Sequence, residues 1–311
     1  MEYITRGRYH FSKLTLGTVQ LGIDYGISNV DGKPSPTVAK AILDAASTAG
    51  INTVDTSETY GTAEQLVGDY LATNGAKHPI HVVTKFKISE RASYDIDFLR
   101  KEISKSLQSS LKKMGLYKIP IYLFHVGKDQ QLAELVEPLS VIFHELRNQG
   151  LIDIAGISAY SPEDVDFVLK HDIIEAVQVP INIFDHRLIN EGRLQELEKR
   201  NMIVFARSIF LQGLLFLPAE EVPENLREAK EFLMELEQIS KAAGKSIAEL
   251  AFGFVRDLKA VTSIVFGAVN SEQVNQNVAL LHTPSLTPEI RDWAMNAFAT
   301  VPERILTPGR W

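Results

Sequence analysis

Four titratable side chains stand where short, β-rich apolar runs give way to polar loops: Asp55 and Tyr60 in GINTVDTSETYG, Lys85 in VVTKF and His125 in IYLFHVG. Taken singly, each has an ordinary structural explanation. Asp55 reads as a loop acid and Tyr60 as a helix-entry aromatic, Lys85 as a strand-end lysine with its head in water, and His125 as a hydrogen-bonded core histidine. Together they have a chemical purpose. A phenol, with an unperturbed pKa of about 10, is a poor proton donor at neutral pH unless a cation stabilises its phenolate. Lys85 can supply that cation, Asp55 can hold the ammonium charged and in place, and His125 can orient a substrate oxygen. Lowering the phenol to about 8 requires roughly 3 kcal/mol of differential stabilisation, within reach of one close lysine in a partly desolvated site. The set suits proton delivery to a carbonyl oxygen, with Tyr60 as general acid.

For these groups to meet, the runs that carry them must be neighbouring strands of one sheet. The chain has that rhythm. Residues 1–13 alternate as a short β-hairpin turning at Thr5 to Arg8. Strand-like runs then alternate with amphipathic helical ones: 14–17 with 37–49, 52–54 with 63–71, 81–84 with 96–114, and 119–124 with 132–148. The alternation continues with 153–157 and 162–170, 176–179 and 187–199, 203–206 with 224–243 and 247–256, and 261–266 with 272–281. A last helix is expected at 288–299. Ser161-Pro162 and Thr287-Pro288 place a capping hydroxyl before a proline at the first helical position. Gly50 and Gly150 stand just past helices, where a left-handed residue is wanted. Eight strand–helix units predict an α/β fold, a (β/α)₈ TIM barrel with an N-terminal hairpin and extra helices near the C-terminus. No composition break divides residues 1–311, which predicts a single barrel domain. Such barrels build their sites at the C-terminal ends of the strands.

Composition narrows the classes. The chain has 311 residues, 45% apolar and 23% charged, a net charge of −7 and a pI near 5.7, with Lys and Arg scattered. Neither a nucleic-acid nor an anionic-membrane surface is expected from that balance. With no cysteine, disulfides, thiolate metal sites and a cysteine nucleophile are excluded. The N-terminal MEYITRGRYHF lacks the features of a signal peptide, and no run reaches the length of a membrane span, so cytoplasm is the expected compartment. The remaining histidines, including His78, His81, His144, His171 and His186, show no ligand spacing, and no metal site is expected.

The ordered segments LGTVQLG, GINTVDTSETYG, VVTKF, LFHVG, GISAYSPEDV, VQVPINIFDHR and IVFGAVNSEQVNQN resemble those of the aldo-keto reductases, nearly end to end. That resemblance implies a (β/α)₈ barrel binding a nicotinamide dinucleotide, NADPH by preference, without a Rossmann unit. No GxGxxG follows a strand here. It implies Tyr60 as general acid, Asp55 and Lys85 as its tuning pair and His125 as the substrate-orienting group. Ser158 and Gln178 match residues that hold the nicotinamide carboxamide, and Gly17 and Thr18 the loop beside its ribose. Arg207 falls where many relatives carry an aromatic stacked on nicotinamide. Ser208, Leu211 and Gly213 match the pyrophosphate loop, and Gly267, Ala268, Gln273 and Asn277 the adenosine end, with Asn270 as N-cap of a helix whose N-terminus suits a phosphate.

The chain departs from the family pattern in three places. Ala159 replaces the asparagine that usually follows Ser158. Gly267 and Gln273 stand where some relatives grip the 2′-phosphate with Lys and Arg, which lets NADH compete. Arg207 beside nicotinamide would repel the cationic oxidised ring more than the neutral reduced one, a bias toward carbonyl reduction, or would pair with a nearby acid or phosphate. The expected function is NAD(P)H-dependent reduction of an aldehyde, ketone or sugar-like carbonyl by direct hydride transfer, with a small-molecule carbonyl as partner. A nucleotide-binding regulatory or sensing subunit on the same fold is the alternative. Tyr25, Phe86, Lys87, Lys128, Phe210, Arg304 and Trp311 are candidate pocket walls.

Overall fold

The computed structural model describes residues 1–75, 79–89, 95–127 and 130–311; Lys128 and His78 lie outside them. Two antiparallel strands, β1 (Tyr3–Arg6) and β2 (Tyr9–Ser12), form the expected hairpin, with Gly7 at φ 55° in its turn. Eight parallel strands then close a barrel in the order β10-β3-β4-β5-β6-β7-β8-β9. They are β3 (Leu14–Gly17), β4 (Thr53–Asp55), β5 (His81–Phe86), β6 (Ile119–His125), β7 (Ile152–Ser158), β8 (Ile174–Pro180), β9 (Ile203–Arg207) and β10 (Ser263–Gly267). The fold is the (β/α)₈ barrel that the alternation predicts.

Local sequence explains the punctuation. The helix Ile96–Met114 opens on Asp95, whose carboxylate accepts from the amides of Asp97 and Phe98, and closes at Gly115 in the left-handed region at φ 64°. Ser161 caps Pro162–Val168 in a capping box, and Thr287 caps Pro288–Ala297. Two expected helical runs are interrupted. The run 187–199 divides into Arg187–Asn190 and Arg193–Lys199 because Gly192 sits at φ 74°, which ends one helix before the next begins. The run 224–243 starts as a 3₁₀ turn, Glu224–Leu226, before the helix Ala229–Ala243.

Two apolar layers hold the barrel. The outer one lies between sheet and helices. The inner one fills the lower barrel with Val83, Ile121, Leu123, Ile154, Ala176, Ile203 and Phe205, and Phe11 of the hairpin closes it from below, 5.7 Å from the Phe205 ring. Side chains two apart on a strand share a face. Counting upward from these inward apolar residues, the next positions are Lys85 on β5, His125 on β6, Gln178 on β8 and Arg207 on β9, and Ser158 on β7 follows one step further, past Gly156. The pleat that packs the core therefore places the polar residues inside the barrel's upper mouth. No helix among the described residues is long and apolar enough to cross a membrane.

Candidate active site

At the mouth, Lys85 is fully buried and its Nζ lies 2.7 and 2.8 Å from the two carboxylate oxygens of Asp55. The same Nζ donates to the Thr56 carbonyl at 2.9 Å. Gln178 Nε2 donates to Asp55 Oδ1 at 2.7 Å, and Ser158 Oγ reaches Gln178 Oε1 at 3.4 Å. Thr18 Oγ1 donates to the Asp55 carbonyl at 3.0 Å. Lys85 of β5 and Gln178 of β8 thus hold the Asp55 carboxylate, Ser158 braces Gln178, and Thr18 fixes the Asp55 backbone. A buried ion pair of this kind is satisfied only if its spare donors and acceptors are used, as they are here. Burial pushes the Lys85 ammonium below its usual range, and Asp55 works against that.

Lys85 Nζ sits 5.0 Å from the centroid of the Tyr60 ring. Tyr60 lines the cleft above, and its hydroxyl makes no hydrogen bond to the described residues, so it is free for a ligand. The phenol is not lowered as expected from the sequence. Burial raises its pKa, the Asp55 charge raises it further, and Arg207 opposes them. The cation placed beneath the ring is already matched by Asp55, so little net positive charge remains to favour a phenolate. His125 Nε2 lies 2.7 Å from Tyr160 Oη while Nδ1 has no partner. Burial and the cations Lys85, Arg207 and Lys87 push this imidazole well below its usual range, so it is neutral at pH 7.

One cleft of about 570 Å³ joins these groups. Asp55, Tyr60, His125, Gln178 and Arg207 line its deep end, and Gly17, Ser208, Gly213, Gly267, Gln273 and Asn277 line the rest. Lys85, Ser158, Thr18, Leu211 and Ala268 lie buried behind that lining. The segment expected at a pyrophosphate is bent into the left-handed region at Ser208 (φ 60°), Leu211 (φ 47°), Gln212 (φ 55°) and Gly213 (φ 96°). Three of these are not glycine, and such strain is held only where the surroundings impose it. Two contacts do so: Ile27 N donates to the Gln212 carbonyl at 3.1 Å, and Gln212 Nε2 to Tyr25 Oη at 2.9 Å. Asn270 caps the helix Ser271–Leu280, accepting from Gln273 N at 2.9 Å.

The cleft suits a polar, planar ligand. Gln20 Oε1, Asn277 Oδ1 and Arg207 Nε are buried, lack hydrogen-bond partners and belong to its lining residues. Groups stranded in this way mark where a ligand's amide or base would bond. A nicotinamide dinucleotide fits that set.

Tyr160, Gln20 and Gln212 are among the lining residues that the sequence reading passes over. Tyr160 and Gln20 follow Ser158 and Thr18 by two positions, so carrying each strand end two residues onward is the signal that finds them. Among the wall candidates, Tyr25 and Phe210 line the cleft. Phe86 instead packs in the outer core, 4.7 Å from the Tyr122 ring, and Trp311 Nε1 bonds the Arg304 carbonyl at 2.9 Å, folding the tail on itself away from the cleft. A larger hollow of about 900 Å³ lies at the opposite barrel end beside the hairpin. Most of its charges are paired, Arg8 and Lys118 on Asp153, Arg147 on Glu175 and Arg200 on Asp172, while Arg6 donates to the Met202 carbonyl, and it holds none of the site residues.

Comparison with known proteins agrees with this geometry. The model of the Aldo/keto reductase family matches residues 13–293. The chain is 26% identical over 319 residues to the L-glyceraldehyde 3-phosphate reductase of Escherichia coli (strain K12), covering 91% of this chain and 88% of that protein. It is 24% identical over 261 residues to the NADH-specific methylglyoxal reductase of the same strain, covering 75% of this chain and 79% of that protein. In fold it is similar to the holo form of the aldo-keto reductase AKR11C1 from Bacillus halodurans, with a TM-score of 0.76 at 23% identity over 96% of both chains. The chain belongs to the Aldo/keto reductase family and is an NAD(P)H-dependent oxidoreductase.

Proposed function

We propose that this protein reduces the carbonyl of a small aldehyde or ketone to an alcohol, with Tyr60 giving the proton. The observation that carries the reading is the free Tyr60 hydroxyl in the cleft above a fully buried Lys85–Asp55 pair. When bound, the nicotinamide nucleotide supplies the hydride. The chain's own groups do the rest. His125, neutral, holds the Tyr160 hydroxyl through Nε2, and the two together orient the substrate oxygen. Tyr60 stays protonated because burial raises it. An oxygen that has received a hydride at its carbon is far more basic than a phenolate, so a raised phenol can still donate to it. Lys85 beneath the ring then meets the phenolate charge as it forms, while Asp55, Thr56 and Gln178 keep the ammonium where it is needed.

Ser208 to Gly213 would hold the nucleotide's phosphates, Gln178, braced from behind by Ser158, its carboxamide, and Asn277 its adenine. Arg207 is the one lysine or arginine among the cleft's described lining residues, and the end formed by Gln273, Gln276 and Asn277 has none. A 2′-phosphate there would lack a charge-assisted partner. NADH is therefore proposed to bind within about tenfold of NADPH, the difference that one such contact would otherwise exceed.

Fluorescence titration with both nucleotides, followed by a screen of aldehydes, ketones and sugars for loss of absorbance at 340 nm, tests this reading. Expected is turnover in the wild type and a drop in kcat of about 10²- to 10⁴-fold in Tyr60→Phe. Undiminished turnover in that variant would remove Tyr60 as the acid, and a hundredfold preference for NADPH would refute the proposed tolerance.

A further inference from the structure

The site contains a cation with no acid to match it. Lys85 is taken by Asp55, which leaves Arg207, at the end of β9, lining the cleft without an ion-pair partner among the described residues; Asp31, the other acid of the lining, makes no ion pair with it. Its Nη2 donates to the Ala159 carbonyl at 2.9 Å and its Nη1 to Ser208 Oγ at 3.3 Å. Its Nε is buried and unpartnered, and among the described residues no carboxylate lies within ion-pairing distance of it. A part-buried guanidinium held by neutral groups alone retains most of its appetite for an anion.

Its placement says which anion. The guanidinium carbon lies 4.5 Å from the centroid of Tyr160, whose hydroxyl is 2.7 Å from His125 Nε2. Only one phenol ring therefore separates the cation from the imidazole that orients the substrate oxygen. The tether to Ala159 draws Nη2 from β9 toward the loop after β7, at the reacting end, while Nη1 keeps one contact with Ser208, the first residue of the left-handed segment. Lys87, exposed beside the mouth, adds to the same field: with Lys85 and Arg207 it is one of three cations that bear on His125. Two of those three cations, Arg207 and Lys87, have no ion-pair partner among the described residues, and both bear on the place where the carbonyl must sit.

We propose that Arg207 anchors a carboxylate or phosphate carried by the carbonyl substrate, so that the site takes an anionic aldehyde or ketone in preference to its neutral isostere. This rests on the reading of the cleft as a carbonyl reductase site. Tyr160 supplies the flat support that fixes the guanidinium plane in the lining of the cleft, where the anion would sit.

Two matched pairs test it: 4-oxobutanoate against its methyl ester, and glyceraldehyde 3-phosphate against glyceraldehyde, with wild type, Arg207→Gln and Arg207→Lys. In the wild type kcat/KM favours the anionic member of at least one pair, and the pair identifies carboxylate or phosphate as the group held. Arg207→Gln lowers that ratio by about 10- to 100-fold, the loss expected for one charge-assisted contact, and Arg207→Lys recovers part of it. Affinity of 4-hydroxybutanoate for the nucleotide complex, read by fluorescence, is expected to fall with the ratio when carboxylate is the group held. A ratio equal in wild type and Arg207→Gln overturns the proposal, including the case in which both members fall together because nucleotide affinity is lost. If all four compounds are reduced with unchanged ratios, the anion site fails and the reductase reading stands. If none is reduced but 4-hydroxybutanoate binding depends on Arg207, the reductase reading fails and the anion site stands. Absence of both effects overturns the anion site.

Discussion

Tyr60 lies over an ammonium that is already neutralised by Asp55, and burial lifts the phenol above its ordinary value. The sign of that shift sets the pH behaviour. A phenol raised above about 10 keeps its proton throughout the neutral and mildly alkaline range, and a histidine lowered below about 6.5 is already neutral there. With saturating nucleotide, kcat/KM for reduction is therefore predicted to be flat between pH 7 and 9. An alkaline limb with an apparent pKa of 7 to 8 would mean that Lys85 lowers Tyr60 after all. The four residues are legible in sequence because each follows an apolar run, and strand ends are where a barrel puts its chemistry. The direction of the phenol's shift is not legible, because it depends on burial and on which charge Asp55 answers first, and neither is written in the spacing. Tyr160 is hidden for a similar reason: its role comes from the contact with His125 across two strands.

The elements around Tyr60 position it by close approach. A Cβ on Gly22 would fall 1.7 Å from the Tyr60 carbonyl oxygen, so the turn after β3 presses directly on the backbone of the Tyr60 loop. The other side of that loop is tied down by Glu58, which accepts from Ser106 Oγ at 2.6 Å and from Lys87 N at 3.2 Å. Gly22→Ala must therefore displace either Val19–Gly22 or Tyr60. It is predicted to cost about 1–3 kcal/mol of stability and to lower kcat, because the overlap is with backbone and no side-chain rotation relieves it. Denaturant titration and steady-state kinetics would check this, and a variant with native stability and native kcat would show that the loop is not held there. Strand and helix positions are readable from alternation and capping residues, whereas this packing of one loop on another is visible only once the barrel has closed.

At the scale of the molecule, a single alternation along the strands does two jobs. The inward apolar positions pack the lower barrel, and the inward positions above them deliver Lys85, His125, Ser158, Gln178 and Arg207 to its mouth. That economy leaves His81, His125 and His186 in surroundings whose burial lowers each of them. Between the lowered folded values and about 6.5 the unfolded chain binds more protons than the folded one, so stability rises with pH across that window and falls on acidification. Each histidine contributes a slope of up to about 1.4 kcal/mol per pH unit. Denaturation midpoints are predicted to drop from pH 7.5 to 5, before the carboxylates titrate; unchanged midpoints over that range would contradict the burial of these histidines.

The central claim is that hydride and proton meet the same carbonyl at this cleft, the proton coming from Tyr60. It is tested most directly by following deuterium from nicotinamide deuterated at its transferable C4 position into the alcohol product, in wild type and in Tyr60→Phe. The account predicts deuterium on the carbinol carbon, formed about 10²- to 10⁴-fold more slowly in the variant. Product without deuterium, or transfer at an equal rate in Tyr60→Phe, would contradict it.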